Sequence, residues 1–263
     1  MRAWQTAMAV VGALAVSAAE STASADAPGA FADRAVSVPE EGKPVVFKYR
    51  LLKPAAVEPG KQYPLVLFLH GAGERGSDNE LQLKYLPTWL AEEENRRRHP
   101  CFVVAPQCRA DHKWVEIDWS DKSSLPQRPE PTVDMAAAVA ALDAVVQTEP
   151  VDPGRVYLTG ISMGGYGSWD LAARMPERFA AVIPVCGGGD EATAPKLKAL
   201  PIWCFHGDAD RAVPVERSRT MVEAVKAAGG TVKYTEYEGV GHDSWTPAYR
   251  DPATLEWLFK QRR

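Results

Sequence analysis

The chain of 263 residues is 46% hydrophobic and 24% charged, with a formal net charge of −4. That composition excludes a disordered chain, and the length is enough to bury the core of one sheet-centred unit. With 34 acidic against 30 basic side chains there is no positive excess of the kind a nucleic-acid surface needs, and the arginine runs at 96–98 and 262–263 read as solvated surface.

The N-terminus departs from this average. Arg2 precedes an apolar, small-residue stretch over 7–19, and Ala23-Ser24-Ala25 follows it. A charged start, a short apolar core and an A-x-A site are the parts of a secretory signal peptide, and the stretch is too short for a bilayer anchor. Residues 1–25 are therefore expected to be removed, 26–44 to form a polar lead-in, and the product to be secreted or periplasmic. The first cysteine is Cys101, far from the cut, so no lipid anchor is expected.

Further along, 45–51 alternates like an edge strand, and 65–69 is continuously apolar, as a strand covered on both faces should be. Segments 101–105, 156–159, 180–185 and 202–205 repeat that type, and 231–237 reads as one more strand. Between them 88–98, 133–147, 164–174 and 215–228 carry helical patterning, and 251–261 a closing helix. This alternation predicts an α/β fold, a mostly parallel central sheet with helices on both faces, in one catalytic domain over 45–263. The insert 107–131 breaks the rhythm: it is proline-rich, charged, and contains Trp114 and Trp119. Long ordered loops of this kind are usually functional.

Gly160-Ile161-Ser162-Met163-Gly164 directly follows a strand and opens a helix. In that setting a sharp strand-to-helix turn holds a serine exposed at the strand end, with flanking positions that tolerate almost no side chain. A serine hydroxyl is a weak nucleophile at neutral pH and needs a base that is itself oriented by a third group. Of the five histidines only His206 and His242 lie beyond Ser162. His206 ends a strand ahead of any acid and reads as structural. His242 sits in the glycine-containing loop Gly239-Val240-Gly241-His242 after the last strand, and reads as the base. The acid belongs between them, and His206-Gly207-Asp208-Ala209-Asp210 offers two carboxylates. Asp210 is preferred as the deeper one, Asp208 being placed as a turn residue that bonds nearby backbone.

Acyl transfer also needs donors for a developing oxyanion. The backbone N–H of Met163 is the first expected donor and that of Ala72, in His70-Gly71-Ala72-Gly73, the second, with His70 bracing the loop. Trp114, Trp119 and Trp245 could edge a cleft as substrate-binding faces or pack beneath the loops, and the sequence leaves both readings open.

Together, His70-Gly71-Ala72-Gly73-Glu74-Arg75-Gly76, Gly160-Ile161-Ser162-Met163-Gly164-Gly165-Tyr166-Gly167, His206-Gly207-Asp208-Ala209-Asp210 with Val213-Pro214, and Gly241-His242 resemble bacterial secreted carboxylesterases of the α/β-hydrolase superfamily. These are described as phospholipase/carboxylesterase-like or polyhydroxybutyrate-depolymerase-like, and are related to dienelactone hydrolases and feruloyl esterases. The resemblance implies the α/β-hydrolase fold and a serine esterase acting on small-molecule or polymer-linked esters, including aryl or carbohydrate-linked (feruloyl or acetyl) ones. Dienelactone hydrolases use a cysteine nucleophile, and this chain has Ser162 at that place. A serine peptidase of the prolyl-oligopeptidase type, a polyhydroxyalkanoate depolymerase and a non-catalytic binding protein are the competing expectations. No cofactor is expected, and no His/Cys spacing points to a metal site. Whether any of Cys101, Cys108, Cys186 and Cys204 pair is left open by the sequence.

Overall fold

The computed structural model describes residues 27–119 and 121–263, so the signal-peptide reading of 1–25 lies outside the described residues. Among the described residues eight strands form one sheet: β1 (Phe31–Glu40), β2 (Lys43–Leu52), β3 (Tyr63–Leu69), β4 (Phe102–Pro106), β5 (Val151–Ile161), β6 (Ala181–Val185), β7 (Ile202–Gly207) and β8 (Val232–Tyr237). Their spatial order is β1-β2-β4-β3-β5-β6-β7-β8. The pairs β1–β2 and β2–β4 are antiparallel and every later pair is parallel. The helices are α1 (Leu86–Ala91), α2 (Glu93–Arg98), α3 (Val133–Thr148), α4 (Met163–Arg174), α5 (Ala194–Leu197), α6 (Glu216–Ala227), α7 (Trp245–Arg250) and α8 (Pro252–Lys260).

The continuous apolar runs are those of strands buried from both sides. Along β3, Leu65, Leu67 and Leu69 join a core with α3, α4 and α6, while Val66 and Phe68 join a second core with α1, α7 and α8. Period-two alternation thus serves two helix layers at once, and all seven residues of β3 are buried.

Three expectations need correction. The segment 26–44 is not a lead-in outside the catalytic domain: it contains β1, which pairs with β2 from Phe31↔Leu52 to Glu40↔Lys43 through a turn at Glu41 and Gly42, both at positive φ. Consequently 45–51 is not an edge but lies between β1 and β4. The helix expected over 88–98 is broken at Glu92, where the Asn95 side chain donates to the Trp89 carbonyl at 2.7 Å and closes off α1. Side-chain caps mark the starts of two longer helices. Thr132 Oγ1 accepts from Met135 N–H to cap α3, and Asp251 accepts from Ala253 N–H to cap α8, which has Pro252 in its first turn.

Among the described residues no helix is long and apolar enough to cross a membrane. All four cysteines are buried free thiols.

Candidate active site

The loops at the C-terminal ends of β3, β5, β7 and β8 converge on one point. Between β5 and α4 the chain reverses so tightly that Ser162 takes φ 53°, ψ −117°, a conformation a side-chain-bearing residue adopts only under constraint. The constraint is visible in its neighbours. A Cβ on Gly160 would lie 2.3 Å from the Gly164 carbonyl oxygen, and one on Gly164 would lie 1.9 Å from that of Leu69. The glycines spaced about Ser162 are therefore a packing requirement of β3, β5 and α4. The Ser162 N–H is already taken by the Val185 carbonyl at 2.9 Å, which fixes the turn and leaves the hydroxyl free to point off the sheet.

His242 reaches back from the loop after β8, placing Nε2 3.0 Å from Ser162 Oγ. Its Nδ1 lies 2.7 Å from Asp210 Oδ2. Since that carboxylate can only accept, Nδ1 carries the hydrogen and Nε2 is left to accept from the serine hydroxyl. The other oxygen of Asp210 accepts from the N–H groups of Ala212 and Val213 at 2.8 and 2.9 Å. Burial alone would raise the Asp210 carboxyl, but hydrogen bonds from His206, His242 and the Val213 N–H hold it well below the ordinary carboxylate range. The group is thus a buried, fixed anion. Asp208 plays another part, its Oδ1 accepting from the Gly239 N–H at 2.7 Å and tying the β7 loop to the β8 loop.

His206 is fully buried and does more than fill the core. Its Nε2 faces two acceptors, the Val213 carbonyl at 3.1 Å and Asp210 Oδ2 at 3.2 Å, so it carries a hydrogen and shares it with the carboxylate. Its Nδ1 is 2.7 Å from Ser218 Oγ. This hold on Asp210 escaped the sequence reading, although the four-residue spacing of His206 and Asp210 across a tight turn was its signal.

As the first residue of α4, Met163 has an N–H with no carbonyl one turn back to receive it. Ala72 likewise begins a short 3₁₀ turn on the loop after β3. That loop lies against the serine, since a Cβ on Gly71 would be 3.6 Å from Ser162 Cβ. His70 braces it from below: the Cys108 N–H donates to Nε2 at 2.9 Å, and Nδ1 lies 2.6 Å from the Gly71 carbonyl. Burial lowers His70 to about 4, so it is neutral at physiological pH. Glu74 is buried on the same loop, and burial raises its carboxyl.

The three tryptophans part ways. Trp114 is 1% exposed, donates from Nε1 to the His70 carbonyl at 3.0 Å and stands edge-on to the His70 ring. The structure corrects its reading as a cleft-edge face: the ring is enclosed beneath the insert, its N–H is spent on the His70 carbonyl, and it contributes to the wall of a recess rather than to an open edge. Trp119 is half-buried, with Lys113 and Arg75 over its ring at 5.0 and 6.0 Å. Trp245, also half-buried, stands edge-on to His242 at 5.2 Å between ring centroids and against Tyr85 at 5.3 Å. Tyr85 was not singled out in the sequence; its φ of 66° at the start of α1, like the φ of 40° at Cys186, adds to Ser162 a further positive-φ position near the site.

Cys186, Asp210 and His242 are residues of metal-binding type, and their ligand atoms lie within 4.8 Å of one another. A metal would need the thiolate, and burial followed by the Asp210 charge pushes this thiol far up, while the imidazole and carboxylate are already bonded to each other. The arrangement fits a serine–imidazole–carboxylate relay better than a metal centre.

The chain is similar in sequence and fold to known hydrolases. The profile of the dienelactone hydrolase family matches residues 121–251. The chain is similar to a solved thermostable esterase, at 40% identity and a TM-score of 0.80, over 89% of this chain and 64% of that one. It is 26% identical over 203 residues to a probable carboxylesterase of Oryza sativa subsp. japonica, covering 72% of this chain and 75% of the relative. An acylaminoacyl peptidase of Pyrococcus horikoshii shares the fold at 16% identity and a TM-score of 0.63, over 89% of this chain and 42% of that one.

Proposed function

The chain belongs to the α/β-hydrolase superfamily, among its carboxylesterase-like members, and we propose that it is a serine carboxylesterase that works through an acyl-enzyme on Ser162. The observation that carries this reading is the unbroken chain from Ser162 Oγ to His242 Nε2 at 3.0 Å and from His242 Nδ1 to the buried Asp210 at 2.7 Å. In the first half-reaction Oγ attacks the ester carbonyl carbon while its proton passes to Nε2, and the negative charge gathers on the former carbonyl oxygen. The N–H groups of Met163 and Ala72 receive that oxygen, a contribution of about 3 to 4 kcal/mol per donor. When the tetrahedral intermediate collapses, the bond to the alcohol oxygen breaks and Nε2–H protonates the leaving alcohol. Water then attacks the acyl-enzyme with His242 again as base, the Oγ–acyl bond breaks, and the acid and free serine are restored. Asp210 stays ionised throughout, holding the tautomer and balancing the imidazolium.

Residues 1–25 support export, and with it action on esters outside the cytoplasm. The finer substrate reading is an aryl or carbohydrate-linked ester such as a feruloyl or acetyl group. With Trp114 enclosed, the aromatic faces left for it are Trp119 and Trp245. Ester rather than amide hydrolysis is tested by matched p-nitrophenyl acyl esters and p-nitroanilides. Faster turnover of the ester, by more than the intrinsic reactivity difference, supports the reading, and turnover of the anilide alone would replace it with a peptidase.

A further inference from the structure

Between the insert and α4, on the sheet face away from Trp245, lies a narrow recess whose floor includes Trp169, Tyr166, Gly188 and Arg217. Arg217, on the first turn of α6, is 2% exposed, and Trp169 is 1% exposed. Among the described residues Arg217 Nε and Nη1 and Trp169 Nε1 have no hydrogen-bond partner, so three buried N–H groups are unsatisfied at one recess. Buried donors without acceptors are rare and costly, and a charged one more so.

Several charged groups surround Arg217, among them Asp121 of the insert, which interacts with it through space and accepts from the Ser123 N–H at 2.9 Å. Arg217 Nη2 donates to the Gly189 carbonyl at 3.1 Å, and the nearest carboxylate, Glu191, stands 3.6 Å from Nη1, beyond hydrogen-bond reach, while accepting from Thr220 Oγ1 at 2.9 Å. Asp170 is paired to Arg174 at 2.6 Å. Asp190 accepts from the Gln127 and Ala192 N–H groups at 2.8 and 3.0 Å. Glu116, Arg128 and Glu130 are exposed at the rim. Asp170, Asp190 and Glu191 are thus each held by other donors, while the Arg217 guanidinium has one hydrogen bond, to the Gly189 carbonyl, and a loose ion pair with Glu191, which leaves Nε and Nη1 without a hydrogen bond.

We propose that this recess is a carboxylate subsite, and that the enzyme prefers esters whose acyl part carries a second, ionised carboxylate. A guanidinium and an indole N–H supply donors only, which selects an acceptor, and the buried positive charge selects an ionised one. The small volume of the recess, about 30 Å³, favours a compact acceptor such as a carboxylate over a ring. Assignment to the acyl part follows from the reaction: the alcohol leaves beside His242, which must protonate it, and no residue of the His242 loop lines the recess. The recess is close to the nucleophile, because Tyr166 sits one turn along α4 with its N–H bonded to the Ser162 carbonyl at 3.1 Å and its ring 5.6 Å from the Arg217 guanidinium.

The inference rests on the serine-esterase reading, and its test separates the two. p-Nitrophenyl monoesters of dicarboxylic acids of four to eight carbons are compared with neutral p-nitrophenyl esters of equal length. The wild-type ratio of kcat/KM, carboxylated over neutral, should exceed about ten at one chain length and fall by about tenfold in Arg217→Met. Trp169→Phe, which removes a donor and keeps most of the volume, should lower the same ratio by a smaller factor if Arg217→Met does not fold. Hydrolysis of the neutral esters with a ratio near one at every length would overturn the subsite, leaving the recess to water, while the esterase reading stood. A ratio unchanged in both variants would overturn it equally. Failure to hydrolyse any of the esters would instead strike at the esterase reading.

Discussion

Trp114→Ala separates a structural tryptophan from a substrate platform. The side chain is 1% exposed, packs in the core that holds α3 and α4, and anchors the His70 carbonyl through a 3.0 Å hydrogen bond. Truncation leaves a cavity worth about 3 to 5 kcal/mol and strands a buried carbonyl, whose own desolvation cost of about 1 to 3 kcal/mol is relieved only if water enters. Taking about 4 kcal/mol as the central value and about 2 to 4 °C per kcal/mol for a chain of this size, Tm should fall by about 8 to 16 °C. Because the His70 loop also carries the Ala72 N–H, the loss of order should lower kcat for small and bulky esters alike. Trp114→Phe retains most of the packing and should lose less than half as much. The measurements are a thermal melt and kcat/KM on p-nitrophenyl acetate beside a feruloyl ester. An unchanged Tm with a loss confined to the feruloyl ester would refute the structural assignment and restore Trp114 as a binding face.

Asp210→Asn should cut kcat by a factor on the order of ten thousand, because an amide can donate where the carboxylate only accepts and lets the imidazole adopt the wrong tautomer. Asp208→Asn removes charge from a loop tie and should cost less than tenfold; steady-state kinetics that reverse this order would move the acid to Asp208. Acid stability should carry the mark of His70, whose folded-state value of about 4 lies below the ordinary 6.5. Between those two values the unfolded chain binds a proton that the folded one refuses, so stability rises with pH across that window and falls as pH drops through it, by about 3 kcal/mol in full. Asp210, depressed in the fold, adds loss below the ordinary carboxylate range. Urea midpoints from pH 7 to 4 test this, and a His70→Gln variant whose midpoint falls as steeply over pH 6.5 to 4 would show that His70 is not the group responsible.

Much of the site was legible because its residues obey local rules. The turn at Ser162 announces itself through glycines that the backbones of β3 and α4 require, and β3 through an unbroken apolar run that only a doubly covered strand can carry. β1 was not legible: Asp33, Arg34, Ser37 and Pro39 make its alternation polar, and only pairing with β2 and packing of Val38 and Phe47 on Ala137 give it a place. The break between α1 and α2 depends on an asparagine side chain finding a carbonyl six residues back, which no periodicity reports. For the tryptophans, residue type was legible and direction was not. Whether a loop ring faces ligand or core is decided by tertiary contacts, here the His70 carbonyl for Trp114 and the His242 ring for Trp245.

The most direct test of the central claim is active-site labelling with a fluorophosphonate, read by intact mass and peptide mapping alongside ester hydrolysis. A serine nucleophile at position 162 predicts one adduct per chain, on Ser162, formed in step with complete loss of activity. It also predicts neither adduct nor more than about a thousandth of the wild-type rate in a folded Ser162→Ala variant. Hydrolysis that survives full labelling, or persists in Ser162→Ala, would contradict it.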